Sequence, residues 1–473
     1  MNKNRRIYLL SPKDLTPETI AVTFAKTSRS PKPFDEIASE LTNERSAQFH
    51  EKWVVGYGHA SVAEHAVLHL ALENVSRLAI ETIEGNRLAS YTEKSSRYQK
   101  WDEDAFYVPE EILGSSLEAP FIETCRLLFQ RYQESFPEVE DWLKSKRTRG
   151  NEESKKAYQR RIMGEVIDNC RFFLPAASLA NVGVTMNARS LEYAICKMLS
   201  SPLKEVRDIG EKLRQVGKNE APTLVKYAAC NKYLIDTRKK MSNYAQNVSR
   251  EGSKEIFQLI DWDKNGEEKV LAAVLYRFGQ VGDYQSCLKY VSGLPEEELR
   301  ELAETLMADR SKFDQPLREF EYTQMTFEVV MDQGAYFEFK RHRMMTQTVK
   351  VLSPVDGFAV PKAIIEAGYG DEYDAAMVQA ADVYTQIAEI NPDAASYIIP
   401  NGFNRRVFFT MNLREFYNFC RLRSAENAHF SIRRVSQRMA EKIEEIYPIL
   451  GQYLDRPRDE PWQDIEKDYF SKV

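Results

Sequence analysis

Four short words in the first half of this chain return, in the same order, in the second half. Phe106-Tyr107-Val108-Pro109-x-x-Ile112 recurs as Phe358-Ala359-Val360-Pro361-x-x-Ile364. The proline of Leu174-Pro175 stands twelve residues before Asn187, and that of Ile399-Pro400 stands twelve before Asn412. The words around those asparagines are Thr185-Met186-Asn187-x-Arg189 and Thr410-Met411-Asn412-x-Arg414. Pro222-x-Leu224-x-x-Tyr227 recurs as Pro448-x-Leu450-x-x-Tyr453, 35 and 36 residues beyond the asparagines. Shared order with near-constant spacing points to a duplicated domain, because the period far exceeds that of a solenoid repeat. We assign the first copy to 1–246 and the second to 255–473. The polar stretch Asn247–Lys254 reads as the linker between them.

Each copy is long enough for its own core, and 43% hydrophobic with 29% charged residues is ordinary for a globular chain. A net charge of −6 argues against a broad nucleic-acid surface. One basic segment, Lys144–Arg161, is compatible either with a local nucleic-acid contact or with a solvated helix face balanced by Glu152 and Glu153. The six cysteines show no C-x-x-C spacing, so neither a zinc site nor a disulfide framework is expected; reduced thiols in a cytoplasmic protein fit better. No apolar run suggests a secretory signal or a membrane helix.

Residues 34–54 read as one amphipathic helix. Ala66–Leu72 alternates as a strand that places His69 as a satisfied core histidine, and Met325–Met331 is rich in strand formers. Ala335–His342 is expected to be helical. Helical sequence closes both copies, from Leu191 to Val216 and then over Phe416–Arg423 and Phe430–Leu450. Strands in the middle with helices on either side predict an α+β fold, each copy a small, mostly antiparallel sheet flanked by helices. Neither a glycine-rich dinucleotide fingerprint nor a Walker A motif is present.

The chemistry-bearing residues are divided between the copies. The second holds Arg341-His342-Arg343, and after seven further residues stands Val351. In the first, Gly85-Asn86-Arg87 is followed after seven residues by Ser95, with Arg97 beyond it. Together these make one R-H-R-x7-S motif with its parts separated. That motif resembles the signature of the flavin-dependent thymidylate synthases, the ThyX family. Gly58-His59-Ala60-Ser61-x-x-Glu64-His65, Cys170-Arg171-x-x-Leu174-Pro175, Asn187-Ala188-Arg189-Ser190-Leu191 and Asn418-x-x-x-Leu422-Arg423 resemble further words of the family.

The resemblance implies two tandem ThyX-like domains and an FAD enzyme that methylates dUMP to dTMP with methylenetetrahydrofolate and NADPH. It implies Arg341, His342, Arg343, Ser61, Glu64, Asn187, Arg189 and Asn418 as cofactor-binding residues. Glu93, Ser95, Ser96, Arg97, Arg171, Glu338 and Arg423 fall on the nucleotide side, with Ser95, Arg97 and Arg423 closest to the chemistry. No metal is implied. Family sites lie at the subunit interfaces of a tetramer, so two chains of this length would form a homodimer that mimics it. Losses in the copies are reciprocal: Met198 stands for Arg423, Ser396 for Arg171, and Val351 and Ser353 for Ser95 and Arg97. Planar guanidiniums suit a phosphate, and cations near a flavin tune it.

Two positions depart from the family pattern. Glu338 stands where glutamine is usual, and an ionised carboxylate only accepts hydrogen bonds. Asn427 replaces a histidine, with His429 two residues further on. The local alternatives are a backbone-bonding role for Ser95 and a turn-fixing role for Asn187 and Asn412.

Overall fold

The computed structural model describes residues 6–56, 60–97, 99–248, 253–280, 282–311 and 313–473. Gly58 and His59 of the histidine-containing word, and residues 249–252 of the linker, lie outside these. The chain divides into two compact units. The first comprises 1–94, 106–115 and 177–252, and the second 95–105, 116–176 and 253–473.

In the first unit, β1 (Val67–Ser76), β2 (Ala89–Glu93) and β3 (Leu179–Asn187) form an antiparallel sheet in the order β1-β3-β2. Alternation in β3 buries Ala180, Val182, Val184 and Met186 on one face. His69 lies on the opposite, exposed face, where its Nδ1 meets the Thr185 hydroxyl of its cross-strand partner at 2.9 Å. It is therefore not a core histidine: the period-2 pattern turns it outward, and a neighbouring hydroxyl satisfies it.

The long helix expected over 34–54 is broken into Phe34–Ser39, Asn43–Phe49 and a wide turn at His50–Gly56. The break has a local cause. The Thr42 hydroxyl accepts from Arg45 N at 3.3 Å and so starts a new helix in mid-run.

In the second unit, β4 (Phe257–Trp262), β5 (Met325–Asp332), β6 (Thr346–Val349) and β8 (Asn404–Met411) form an antiparallel sheet ordered β4-β5-β8-β6, while β7 (Val360–Pro361) pairs with β9 (Phe470–Lys472). Below the sheet Phe339 packs edge-on against Phe409 and Phe419, with ring centroids 4.6 and 5.5 Å apart.

The segment 116–176 belongs to the first copy by sequence and to the second unit by contact. Backbone bonds hold it there: Ala176 N to Ile399 O at 2.9 Å, Asn401 N to Leu174 O at 3.0 Å, and Gly402 N to Phe172 O at 2.9 Å. The basic stretch within it runs from the end of the helix Glu118–Lys146 into the helix Lys155–Cys170. Three of its charges are paired, Lys144 with Glu140, Arg147 with Glu165, and Arg161 with both Glu153 and Glu165.

Both units use one local device. A strand ends in a capping side chain, a short helix follows, and a short strand returns. Ser76 caps Arg77–Glu84 in the first unit, and Asp332 caps Gln333–Phe339 in the second, each accepting from a backbone N–H, at 3.0 and 2.8 Å. The asparagines of the repeat do the same after β3 and β8. Asn187 accepts from Ser190 N at 2.8 Å and Asn412 from Glu415 N at 2.9 Å.

Candidate functional site

All seven residues of the helix Gln333–Phe339 are buried. That burial forces Glu338, only 6% exposed, into the interior of the second unit. Three guanidiniums surround its carboxylate. Arg423, the last residue of the helix Leu413–Arg423, donates from Nη1 to Glu338 Oε2 at 2.9 Å. Arg171 and Arg97 lie 3.9 and 4.0 Å from Oε1, at ion-pair but not hydrogen-bond distance. Arg97 and Arg171 come from the first sequence copy, and Glu338 and Arg423 from the second.

Other acceptors hold these arginines in place. Asp168 takes both Nε and Nη2 of Arg97 at 2.8 Å, a two-pronged pair, and the Asn427 carbonyl takes Nη1 at 3.0 Å. Arg171 is 2% exposed and donates to the Gly334 carbonyl at 3.3 Å. A side chain at 334 would crowd this arrangement, because a Cβ there would lie 3.3 Å from the Arg171 Nη2 and 2.9 Å from the capping Asp332 oxygen. Burial lowers Arg171 and Arg423 from the ordinary arginine range and raises the Asp332 carboxyl. Glu338 Oε1 and Arg171 Nε are buried with no hydrogen-bond partner.

The arginine–histidine–arginine word begins two residues past this helix. His342 is 7% exposed and stacks edge-on against Phe419 with centroids 4.9 Å apart. Its Nε2 accepts from Arg423 Nε at 2.9 Å. Burial, followed by the charges of Arg423, Arg341 and Arg343, pushes it down to about 3, so the ring is neutral at physiological pH. The cations at this turn are thus Arg341, which is exposed, and Arg343, which is half-buried.

Ser95 Oγ accepts from the backbone N–H of Arg97 at 3.2 Å, the local turn contact available to a serine. Ser96 is buried. Asn418 faces away from the cluster: its Oδ1 accepts from Arg421 at 3.2 Å, and it lines a separate cavity of about 320 Å³ with Arg310 and Asp455. His429 is fully buried. Its Nδ1 accepts from Ser431 N at 3.1 Å and its Nε2 donates to the Asp168 carbonyl at 3.0 Å, so it fixes the segment that orients Arg97. Burial and the nearby arginines hold it well below the ordinary histidine value.

The remaining candidates lie in the first unit. Glu64 pairs with Arg189. Ser61 and Glu64 line a cavity of about 750 Å³ with Phe24, Arg29, Trp53 and His65. Glu93 faces Arg77 at 3.3 Å in the interior, with both side chains almost fully buried. Among the described residues, no group of three or more His, Cys, Asp or Glu could hold a metal ion.

Sequence reasoning missed Asp168, Gly334 and the Asn427 carbonyl. Asp168 lies three residues before Arg171, one helical turn away, and that proximity was the available signal. The Gly334 and Asn427 contacts are made by backbone atoms and leave no side-chain signature.

Small antiparallel sheets flanked by helices and built on a repeated strand–helix–strand device, with arginines gathered at helix ends, define a ThyX-like α+β protein. Comparison of sequences agrees. The family model described as "Thymidylate synthase complementing protein" matches residues 10–223 and again 258–449, and the chain belongs to that family. It is 28% identical to a UPF0159 protein of Chlamydia muridarum, over 88% of this chain and 82% of that one. A UPF0159 protein of Thermoplasma acidophilum is also 28% identical, over 87% of this chain and 89% of its own length. The flavin-dependent thymidylate synthase of Clostridium tetani is 29% identical, over 45% of this chain and 82% of its own length. The first two relatives match along nearly the whole chain; the third is the length of about one copy. Among the described residues no helix is long and apolar enough to cross a membrane.

Proposed function

We propose that this protein is a flavin-dependent enzyme of the thymidylate synthase type, transferring a one-carbon unit to the uracil of a deoxyuridine substrate. dUMP to dTMP is the reaction the family resemblance implies. The observation that carries this reading is the convergence of Arg97, Arg171 and Arg423 on one buried point, with Arg341–Arg343 following the same helix. Residues from both sequence copies meet there in one chain. A scaffold protein would have no cause to gather three guanidiniums around one buried carboxylate, where desolvation is costly.

The donor set fits a flavin. Arg341 and Arg343 are cations suited to a pyrophosphate or to the electron-rich edge of the ring, and the neutral His342 orients Arg423. In the first unit, Ser61 and Glu64 border a cavity with three aromatic side chains, Phe24, Phe49 and Trp53, and Arg29, which suits a planar ligand. When bound, FAD would supply the hydride. Arg341, His342 and Arg343 would bind it, Ser61, Glu64, Asn187 and Arg189 would complete its contacts, and Arg423 would orient the base. Methylenetetrahydrofolate as carbon donor, NADPH as reductant, a homodimer and a cytoplasmic location complete the proposal.

Purified protein should carry or take up FAD, with flavin absorbance, and should convert deoxyuridine substrates when given methylenetetrahydrofolate and NADPH. A colourless protein with no affinity for FAD contradicts the proposal. One observation favours a second substrate within the same class: Glu338 puts a carboxylate where the family pattern has an amide.

A further inference from the structure

We propose that the helix Lys232–Ala245 of one chain docks in an apolar groove on the second unit of another copy of this chain, with the reverse contact made at the same time. This rests on the proposed homodimer and not on the flavin assignment.

None of the fourteen residues of that helix is buried. Its sequence is nevertheless amphipathic: Tyr233, Leu234, Thr237, Met241 and Tyr244 recur at helical spacing and share one face. Tyr233, Met241 and Tyr244 are exposed. A helix of this length is marginal in water by itself and gains its stability by burying such a stripe. Its charge is basic, with Lys232, Arg238, Lys239 and Lys240 against one acid, Asp236.

The groove lies among the helices Gly266–Phe278, Tyr284–Val291 and Glu296–Met307 of the second unit. It has a volume of about 860 Å³ and is lined by Leu275, Phe278, Tyr290, Leu302 and Leu306. Its two hydroxyls already have partners: Ser286 donates to Asp283 at 2.8 Å, and Thr305 to the Glu301 carbonyl at 2.9 Å. An occupant therefore has apolar surface to cover and no polar group to satisfy.

The first unit shows that this lining is particular to one copy. Glu18 accepts from the backbone N–H groups of Thr223 and Leu224, and Glu267 accepts from those of Ile449 and Leu450, the matching places in the repeated word. Eight and eleven residues past these glutamates stand Lys26 and Arg29 in the first unit, and Leu275 and Phe278 in the second. Each pair lines the cavity of its own unit. The second cavity thus lacks the cations that an anionic small molecule would need.

Charge selects the occupant. The helix Glu296–Met307 carries five exposed glutamates against one arginine. Glu298 and Glu301 stand one helical turn before Leu302 and Thr305, which line the groove. An apolar stripe flanked by cations fits an apolar groove edged with acids, which is how an amphipathic helix docks. Two identical chains meeting in this way make two equivalent contacts about a twofold axis.

Sedimentation velocity on the full chain tests this, with Met241→Glu on the helix and Phe278→Lys in the groove. The two side chains are 54% and 66% exposed, so neither change disturbs a core. The wild type should be a dimer. Each variant alters both contacts and should weaken the dimer at least about a hundredfold. An equimolar mixture of M241E and F278K should recover dimers: a mixed pair keeps one contact unaltered and sets the introduced carboxylate against the introduced ammonium in the other. Variants as dimeric as the wild type, a loss confined to one variant, or a mixture that stays monomeric would each overturn the contact and leave the wild-type homodimer standing. A monomeric wild type overturns the homodimer as well.

Discussion

The two units run the same strand–cap–helix–strand device and put it to different ends. In the second unit the helix after β5 delivers Glu338 and His342 among arginines, and it leaves Glu338 Oε1 and Arg171 Nε buried without partners. In the first unit the corresponding residues have settled into local bonds. Asn86, matching His342, donates to the Ile83 carbonyl of its own helix at 2.7 Å. Met198, matching Arg423, is 1% exposed and packed in the core. The same holds for a lost letter inside the second unit, where Ser396, the second copy's counterpart of Arg171, donates to the Leu352 carbonyl at 2.8 Å. Where the motif letters are lost, the side chains satisfy themselves within the scaffold. Where they are kept, Glu338 Oε1 and Arg171 Nε stay buried without hydrogen-bond partners.

Exchanging the two arrangements gives the largest effects. Met198→Arg places an unpaired cation in an apolar core, and the first unit should lose about 4 kcal/mol or fail to fold, as seen in urea unfolding. Arg423→Met removes the donor to Glu338 and His342, and the loss should be about 3 kcal/mol together with loss of ligand binding. If Met198→Arg is harmless, the contrast between a settled core and an open site is broken.

A pH titration sharpens the same contrast. His342 and His429 of the second unit are neutral in the folded chain, with values pressed below the ordinary 6.5. Below about pH 6.5 the unfolded chain binds protons that the folded chain excludes, so stability falls as pH falls. For His342 this continues down to about 3. Each group contributes up to about 1.4 kcal/mol per pH unit. His429→Asn, which retains a capping side chain, should reduce the slope of stability against pH between 6.5 and 5 by about one proton. An unchanged slope would show that His429 is not excluded from protonation.

The smallest expected effect is where the units agree. Asn187→Ala and Asn412→Ala should each cost about 1 kcal/mol, because both remove the same helix cap. Thermal melts that separate the two widely would mean that one asparagine does more than start its helix.

The repeat, the strand–helix elements and the residues of the cluster were legible in the sequence because they follow local rules. Period-2 alternation marked β1, strand-forming residues marked β5, and the shared words marked both asparagine caps. What was not legible depends on distant partners. Asp168 meets Arg97 and Arg171 meets Gly334 across long stretches of chain. Residues 116–176 join the second unit through backbone bonds to Ile399, Asn401 and Gly402, which carry no side-chain pattern. Glu338 was visible as a departure, but its enclosure by three arginines was not, because that follows from the burial of its whole helix. Thr42, a lone capping residue within an amphipathic pattern, was enough to break the helix expected over 34–54.

A double-mutant cycle between Arg171 and Glu338 tests most directly whether the two sequence copies build one charged cluster in a single chain. Arg171→Met, Glu338→Gln and the double variant would be compared by urea unfolding. Placement of the two charges 3.9 Å apart in the interior leads us to expect a coupling of at least about 1 kcal/mol, because each single change strands the other group. Losses that simply add, within about 0.4 kcal/mol, would contradict it.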